Sequence, residues 1–120
     1  MARRLHTVAE TSQFVRDAAG LGLSADEVRV IVDAVARDPA RGDEVQGSGG
    51  VRKVRFAGRG KGKSGGYRVM VAFVGQDAPA YLLAILSKGD RGNFSAREIA
   101  EMQAVTAALK QAWRERRQRR

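Results

Sequence analysis

Residues 51–74 read VRKVRFAGRGKGKSGGYRVMVAFV and contain two strand patterns separated by a basic, glycine-rich loop. Residues 51–56 alternate apolar and charged side chains, which is typical of a strand with one buried face. Residues 67–74 are rich in β-branched and aromatic side chains, which favour strands. The loop at 57–66 carries three basic side chains and no acidic one. The stretch therefore predicts a strand pair whose connecting loop is strongly cationic.

A third strand is predicted after this pair, at residues 80–86. This segment is almost wholly apolar, as in a strand that is buried on both faces, and a short turn at 75–79 precedes it. Short connections favour antiparallel neighbours, so the three strands predict an antiparallel meander, and the apolar composition of 80–86 predicts a central strand of the sheet. Another short strand is predicted near the start of the chain, at residues 3–8.

Three helices are predicted from capping residues and apolar spacing. The first begins at Thr11 or Ser12, whose hydroxyl can accept a hydrogen bond from the first turn. The other two each begin with a capping box, in which a serine is followed three residues later by a glutamate. These pairs are Ser24 with Glu27 and Ser95 with Glu98. Pro39 ends the second helix, and the third extends to Trp113.

The element order β-α-α-β-β-β-α predicts an α+β fold, in which a small antiparallel sheet has its helices packed on one face. The 120 residues are expected to form a single domain at 1–113. The basic segment at 114–120 has no apolar side chain to bury, so it is expected to be a disordered tail.

The net charge of +9 is unevenly distributed along the chain. Residues 51–68 carry +7 and residues 110–120 carry +5, so the rest of the chain sums to −3. No acid lies between Glu44 and Asp77. Segregated positive charge favours a polyanion as the ligand, with RNA as the first expectation, while a role in solubility alone stays open.

The composition also excludes several classes of site. There is no cysteine, and His6 is the single histidine, so no disulfide, metal site or cofactor is expected. No apolar run is long enough to span a bilayer or to act as a signal peptide, so a cytoplasmic protein without membrane contact is expected.

Residues 57–64 fit a relaxed phosphate-loop pattern. A strand follows them instead of the helix that would face the phosphates, which argues against nucleotide hydrolysis.

Strand pairing is expected to gather four basic residues at one end of the sheet. If 51–56 and 67–74 form a hairpin, Arg68 lies nearly opposite Arg55, and Lys53 shares a face with Arg55. Pairing of the next strand brings Lys88 to the start of the middle strand. Like charges that face each other destabilise a sheet, so we expect a bound anion to offset their repulsion.

The motifs VRKVRF, GKGKSGGYRVMV and YLLAILSKGDRGNFSAREIAEM occur in this order, and over residues 25–110 the chain resembles the RelE/HigB branch of the RelE/ParE toxin superfamily. The resemblance implies a type II toxin–antitoxin toxin that binds in the ribosomal A site and cuts mRNA there. Cleavage in this branch uses attack by a ribose 2′-hydroxyl on the adjacent phosphate, without a metal. The implied partners are the 70S ribosome, mRNA and a helix-turn-helix antitoxin.

The resemblance also implies roles for individual residues. The family's basic strand residues correspond to Lys53 and Arg55, its Gly-Tyr-Arg arginine to Arg68, and its strand-end lysine to Lys88. Arg68 is the expected phosphate clamp, and Lys53 or Lys88 is expected to exchange protons with the 2′-hydroxyl or the leaving 5′-oxygen. Further RNA contacts are expected from Arg52, Arg59, Lys61, Lys63, Arg91 and Phe94.

The chain departs from the family pattern at two positions. Gly89 stands where some members have an arginine, for which Arg91 is a possible substitute, and no tyrosine follows Tyr81 to act as a general base. Two alternatives therefore stay open. One is inhibition of DNA gyrase, as by ParE-type members of the same fold, and the other is RNA binding without catalysis.

Overall fold

The helices and strands of this computed structural model follow the predicted order, with one additional strand. The structure describes residues 5–58 and 66–119. The α+β class is confirmed. The elements are β1 (Val8–Glu10), α1 (Ser12–Gly20), α2 (Ala25–Arg37), β2 (Asp43–Glu44), β3 (Val51–Phe56), β4 (Tyr67–Ala72), β5 (Ala80–Ser87) and α3 (Ala96–Gln118).

The sheet has five strands in the order β1-β5-β4-β3-β2. β3, β4 and β5 are antiparallel to their neighbours, which confirms the predicted meander. β4 is the middle strand, and β5 lies between β1 and β4, so residues 80–87 form an interior strand as predicted. β1 runs parallel to β5, with Val8 beside Ala80, so the sheet is mostly rather than wholly antiparallel.

Two strands differ from the predictions. β1 begins at Val8, at the end of the predicted 3–8, and His6 N donates to Ala36 O of α2 at 2.8 Å instead of to a strand; residues 3 and 4 lie outside the described residues. The additional strand β2 lies in a segment that was predicted to be a polar connector. It pairs Asp43 with Lys53 and Glu44 with Arg52, and with two exposed residues it has no apolar pattern to recognise.

The predicted helix starts are confirmed. The Thr11 hydroxyl accepts a hydrogen bond from Phe14 N at 3.2 Å, and both predicted capping boxes are formed. The third helix continues through Gln118, so residues 114–118 are helical in the segment that was expected to be a disordered tail. None of the helices in the described ranges combines the length and apolar composition that a membrane crossing requires.

Helices cover both faces of the sheet, so the prediction of one covered face was wrong. Side chains alternate along β4: Val69 and Val71 belong to the core beneath α1 and α2, while Met70 and Ala72 belong to the core beneath α3. All four are fully buried. The physical reason lies in the sequence of β4, which is apolar at four successive positions, the pattern of a strand buried on both faces.

Gly66 connects the basic loop to β4 in a backbone conformation that favours glycine. Its φ is +74°, and a Cβ atom there would lie 2.1 Å from the carbonyl oxygen of Phe56. Gly66→Ala is therefore expected to lower the free energy of unfolding by about 2 kcal/mol or more, measured by chemical denaturation. Gly20→Ala is the control, since α1 ends at Gly20 with open space around it, and this change is expected to be neutral or to stabilise by about 0.5 kcal/mol. Equal losses in both variants would contradict the backbone argument.

Candidate nucleic-acid interface

Four basic residues share one face at one end of the sheet, and we call this group the cationic face (Lys53, Arg55, Arg68 and Lys88). Arg55 lies directly opposite Arg68 across β3 and β4, and Lys53 lies two residues along the same strand face. Lys88 N donates to Gly66 O at 2.9 Å, one residue beyond the pairing of Tyr67 with Ser87. The expected register is thus the observed one, because the alternation of β3 specified which face is buried.

A cleft of about 390 Å³ opens beside the cationic face. Asp43 is the single acid among its lining residues. Within the described part of the chain, Asp43 forms no ion pair with the cations. The cleft is therefore suited to an anion. Its lining residues are Arg41, Gly42, Asp43, Lys53, Val54, Arg55 and Arg68.

Arg68 is the buried member of the cationic face, with 6% of its surface exposed. Its Nη1 donates to the side-chain oxygen of Asn93 and, at 3.4 Å, to the carbonyl oxygen of Gly92. Its Nε has no hydrogen-bond partner among the described residues. Arginine stays charged at all ordinary pH values, and a buried charge without an anionic partner is costly. Because Nε is itself buried and Nη1 is bonded to residues 92 and 93, Nη2 is the group of this side chain that can donate to an anion.

The segment that holds Arg68, residues 88–95, is itself anchored to the start of α3. Arg91 forms an ion pair with Glu98, donates to Asn93 O at 3.2 Å and lies 5.8 Å from the centre of the Phe94 ring. The hydrogen bond from Arg91, followed by those from Ser95, lowers the pKa of Glu98. A lowered carboxyl pKa means that this contribution to stability is present at neutral pH and is lost as the pH falls through the folded-state pKa.

A protein-family comparison identifies the fold that carries this face. The family described as "RelE toxin of RelE / RelB toxin-antitoxin system" matches residues 7–119. The chain belongs to the RelE toxin family. Predicted membership of the RelE/ParE superfamily is confirmed, and an antitoxin partner follows from the family.

A solved structure supports the fold of this RelE-family toxin. The chain is similar to the E. coli toxin RelE, in the form of a double mutant in the free state, with a TM-score of 0.54 and 10% sequence identity. The match covers 83% of this chain and 95% of the E. coli chain. At this identity the likeness establishes the fold alone.

Three of the other predicted RNA-binding residues of the toxin, Arg52, Arg91 and Phe94, are engaged in contacts elsewhere in the protein. Arg52 is on the opposite face of β3, where it donates to Gly42 O at 2.8 Å and lies 3.7 Å from Glu44. Arg91 is engaged with Glu98, and Phe94 is half-buried against the core beneath α3. The remaining three, Arg59, Lys61 and Lys63, lie outside the described residues.

Two residues of the candidate site were missed by the sequence prediction. Arg41 lines the cleft and lies 5.4 Å from the centre of the Phe56 ring, a position that depends on the unpredicted strand β2. Asn93 holds Arg68, although the two are 25 residues apart in sequence. A signal for Asn93 was available, because a polar residue in a loop between a strand and a helix is a frequent site residue.

Proposed function

We propose that this RelE-family toxin is a ribosome-dependent endoribonuclease that cuts mRNA and thereby inhibits translation. The observation that carries the proposal is Arg68, a buried guanidinium that lines the cleft on the same face as Lys53 and Arg55. Such a site suits a reaction in which negative charge develops on a phosphate, because fixed cations stabilise that charge without reorganising.

The residues divide the work according to their burial and contacts. Nη1 of Arg68 is occupied by Asn93 and Gly92 O, and Nε is buried, which leaves Nη2 to bind a phosphate oxygen. Asn93 is then a positioning residue, since it fixes the direction of the guanidinium. Arg55 lies opposite and exposed, so it supplies a second cation to the phosphorane-like transition state.

Proton transfer is assigned to the lysines of the same face. Attack by the 2′-hydroxyl releases a proton, and the departing 5′-oxygen must gain one. Lys53 lines the cleft beside Arg55 and Arg68, and Lys88 begins the segment that leads to Asn93. With Gly89 after Lys88 and no tyrosine beyond Tyr81, these lysines are the proton carriers that the face offers.

The proposed partners and location follow from this activity. The toxin would act on mRNA in the 70S ribosome, and therefore in the cytoplasm. Its antitoxin would be a helix-turn-helix DNA-binding protein with an acidic segment that complements the basic surface.

Purified toxin is expected to produce new 5′ ends in mRNA during reconstituted translation, and none in the same mRNA without ribosomes. Primer extension on both samples measures this. Intact mRNA in the complete reaction would refute the proposal, and inhibition of gyrase supercoiling in a parallel assay would then favour the ParE-type activity. Cuts that persist without ribosomes would retain the nuclease but remove the ribosome from the mechanism.

A further inference from the structure

A second basic surface lies on the last turns of α3, and we call it the arginine end of α3. It carries five cations and one acid, Glu115, whose carboxylate accepts a hydrogen bond from Gln111 at 2.9 Å. Within residues 5–58 and 66–119, none of the five cations forms an ion pair. The cations are Lys110, Arg114, Arg116, Arg117 and Arg119.

The arginine end lies at the opposite end of the sheet from the cationic face. Trp113 Nε1 donates to the hydroxyl of Tyr81 at 2.9 Å, which fixes the arginine end beside the start of β5. Lys88 follows the last residue of β5, seven residues after Tyr81. At roughly 3.3 Å per residue this separation is about 20 Å. A single phosphodiester group cannot contact both Lys88 and the arginine end of α3.

The cations exceed what the helix itself requires. Cations in the last turn interact favourably with the helix dipole, and Arg116 and Arg117 occupy that turn. Lys110 and Arg114, however, form a like-charge pair at a spacing of four residues, which destabilises a helix. At 100° per residue, the basic side chains spread over more than half of the helix circumference. The positive charge therefore surrounds most of the helix and is not confined to one narrow face.

The composition of this surface favours a nucleic acid over a protein. Its apolar side chains are Ala112 and Trp113, and Trp113 is half-buried, bonded to Tyr81 and covered by Arg116 at 5.0 Å. A protein interface needs an apolar core that excludes water, which this surface cannot supply. RNA binding needs only guanidinium groups that reach phosphate oxygens, and Arg114, Arg117 and Arg119 are exposed, with Arg114 donating to the side-chain oxygen of Gln111 at 3.2 Å through Nη1 alone.

We propose that the arginine end of α3 binds the phosphate backbone of an RNA helix, separate from the RNA strand at the cationic face. This rests on the proposed function, under which the helix belongs to ribosomal RNA. The toxin then binds the ribosome through the arginine end of α3 at one end of its sheet, and the cationic face at the other end contacts the mRNA that is cut. The arginine end supplies affinity, and the cationic face supplies chemistry.

Matched charge variants of the full chain test this surface. Both remove three exposed arginines and therefore change the net charge equally. The tail variant is Arg114→Gln, Arg117→Gln and Arg119→Gln, and the control variant is Arg16→Gln, Arg29→Gln and Arg97→Gln. Binding to 70S ribosomes and to a short fluorescent RNA duplex is measured over a series of salt concentrations, after circular dichroism has established that both variants are folded.

The tail variant is expected to bind both probes about tenfold more weakly or worse, with a salt dependence reduced by about three counterions, since each lost phosphate contact removes about one. The control variant should keep the wild-type slope. Equal losses in both variants would mean that only net charge matters and would overturn the proposal. So would wild-type RNA binding by a tail variant that has instead lost affinity for the antitoxin, because the surface would then be a protein interface.

The outcome also separates this proposal from the proposed function. A wild-type protein that binds the duplex through the arginine end, yet neither binds ribosomes nor cuts mRNA, would support the RNA surface and refute the ribosomal nuclease. A tail variant that binds ribosomes as tightly as the wild type and still cuts mRNA would leave the nuclease in place and refute the RNA surface.

Discussion

Arg55→Ala is expected to reduce mRNA cleavage about 100-fold or more while leaving the protein at least as stable as the wild type. Loss of one preorganised cation from a phosphoryl transition state costs about 3 kcal/mol, which corresponds to that factor. Stability should not fall, because Arg55 is exposed and directly faces Arg68. Removal of this like-charge pair is expected to stabilise the sheet by roughly 0.2–1 kcal/mol.

Two measurements on the same protein preparation test whether the cleavage rate falls while the free energy of unfolding does not. Rates of mRNA cleavage on ribosomes give the first effect, and chemical denaturation gives the second. Arg29→Ala on the exposed surface of α2 is the control, and it should change neither. A variant that loses both activity and stability would mean that Arg55 supports the fold, and the proposed catalytic role would lose its basis.

Arg68→Lys is expected to reduce the cleavage rate by about 100-fold even though the positive charge is retained. An ammonium group is a point charge without the fork of a guanidinium, so it cannot keep the place of Nη1 beside Asn93 and also put a donor where Nη2 meets the phosphate. The loss should fall on kcat, because ribosome binding relies on charges elsewhere on the surface, whereas the fork acts on the reacting phosphate. Single-turnover cleavage on pre-bound ribosomes measures this step.

Two further variants keep this test decisive if the lysine disturbs the buried site. Arg68→Ala supplemented with free guanidinium should regain part of its activity, because the small cation can occupy the vacated space. Asn93→Ala retains Arg68 but releases Nη1, so kcat should fall about tenfold with little change in KM. Full activity in Asn93→Ala would show that the orientation of Arg68 does not matter for cleavage.

The sequence was sufficient to predict the pairing that builds the cationic face. Alternation in residues 51–56 separates Lys53 and Arg55 from Val54 and Phe56, and that separation fixes the register opposite Arg68. The N-caps of the three helices could be predicted equally well, since each is a hydrogen bond between a side chain and the backbone a few residues away. Features determined by neighbours in sequence could therefore be read without the structure.

Features determined by distant contacts could not be read in this way. The burial of Arg68 depends on the path of residues 88–95, and its bond to Asn93 spans two different elements. Val15 lies at an apolar helical position in α1, yet half of it is exposed, because the helix contacts the sheet through Phe14 and Ala18. Spacing predicts an apolar stripe but does not tell which neighbour will cover each position.

The parallel pairing of β1 with β5 has a consequence for the order of folding. Val8 meets Ala80, and Thr11 contacts Leu82, so this edge of the sheet joins parts of the chain that are about 70 residues apart. Contacts at such separation carry a large loop-closure entropy and form slowly. The pair of helices α1 and α2 and the β3–β4 pair can form from contacts that are local in sequence. β1, by contrast, can pair only after β5 has formed. We therefore expect closure of this edge to limit the folding rate.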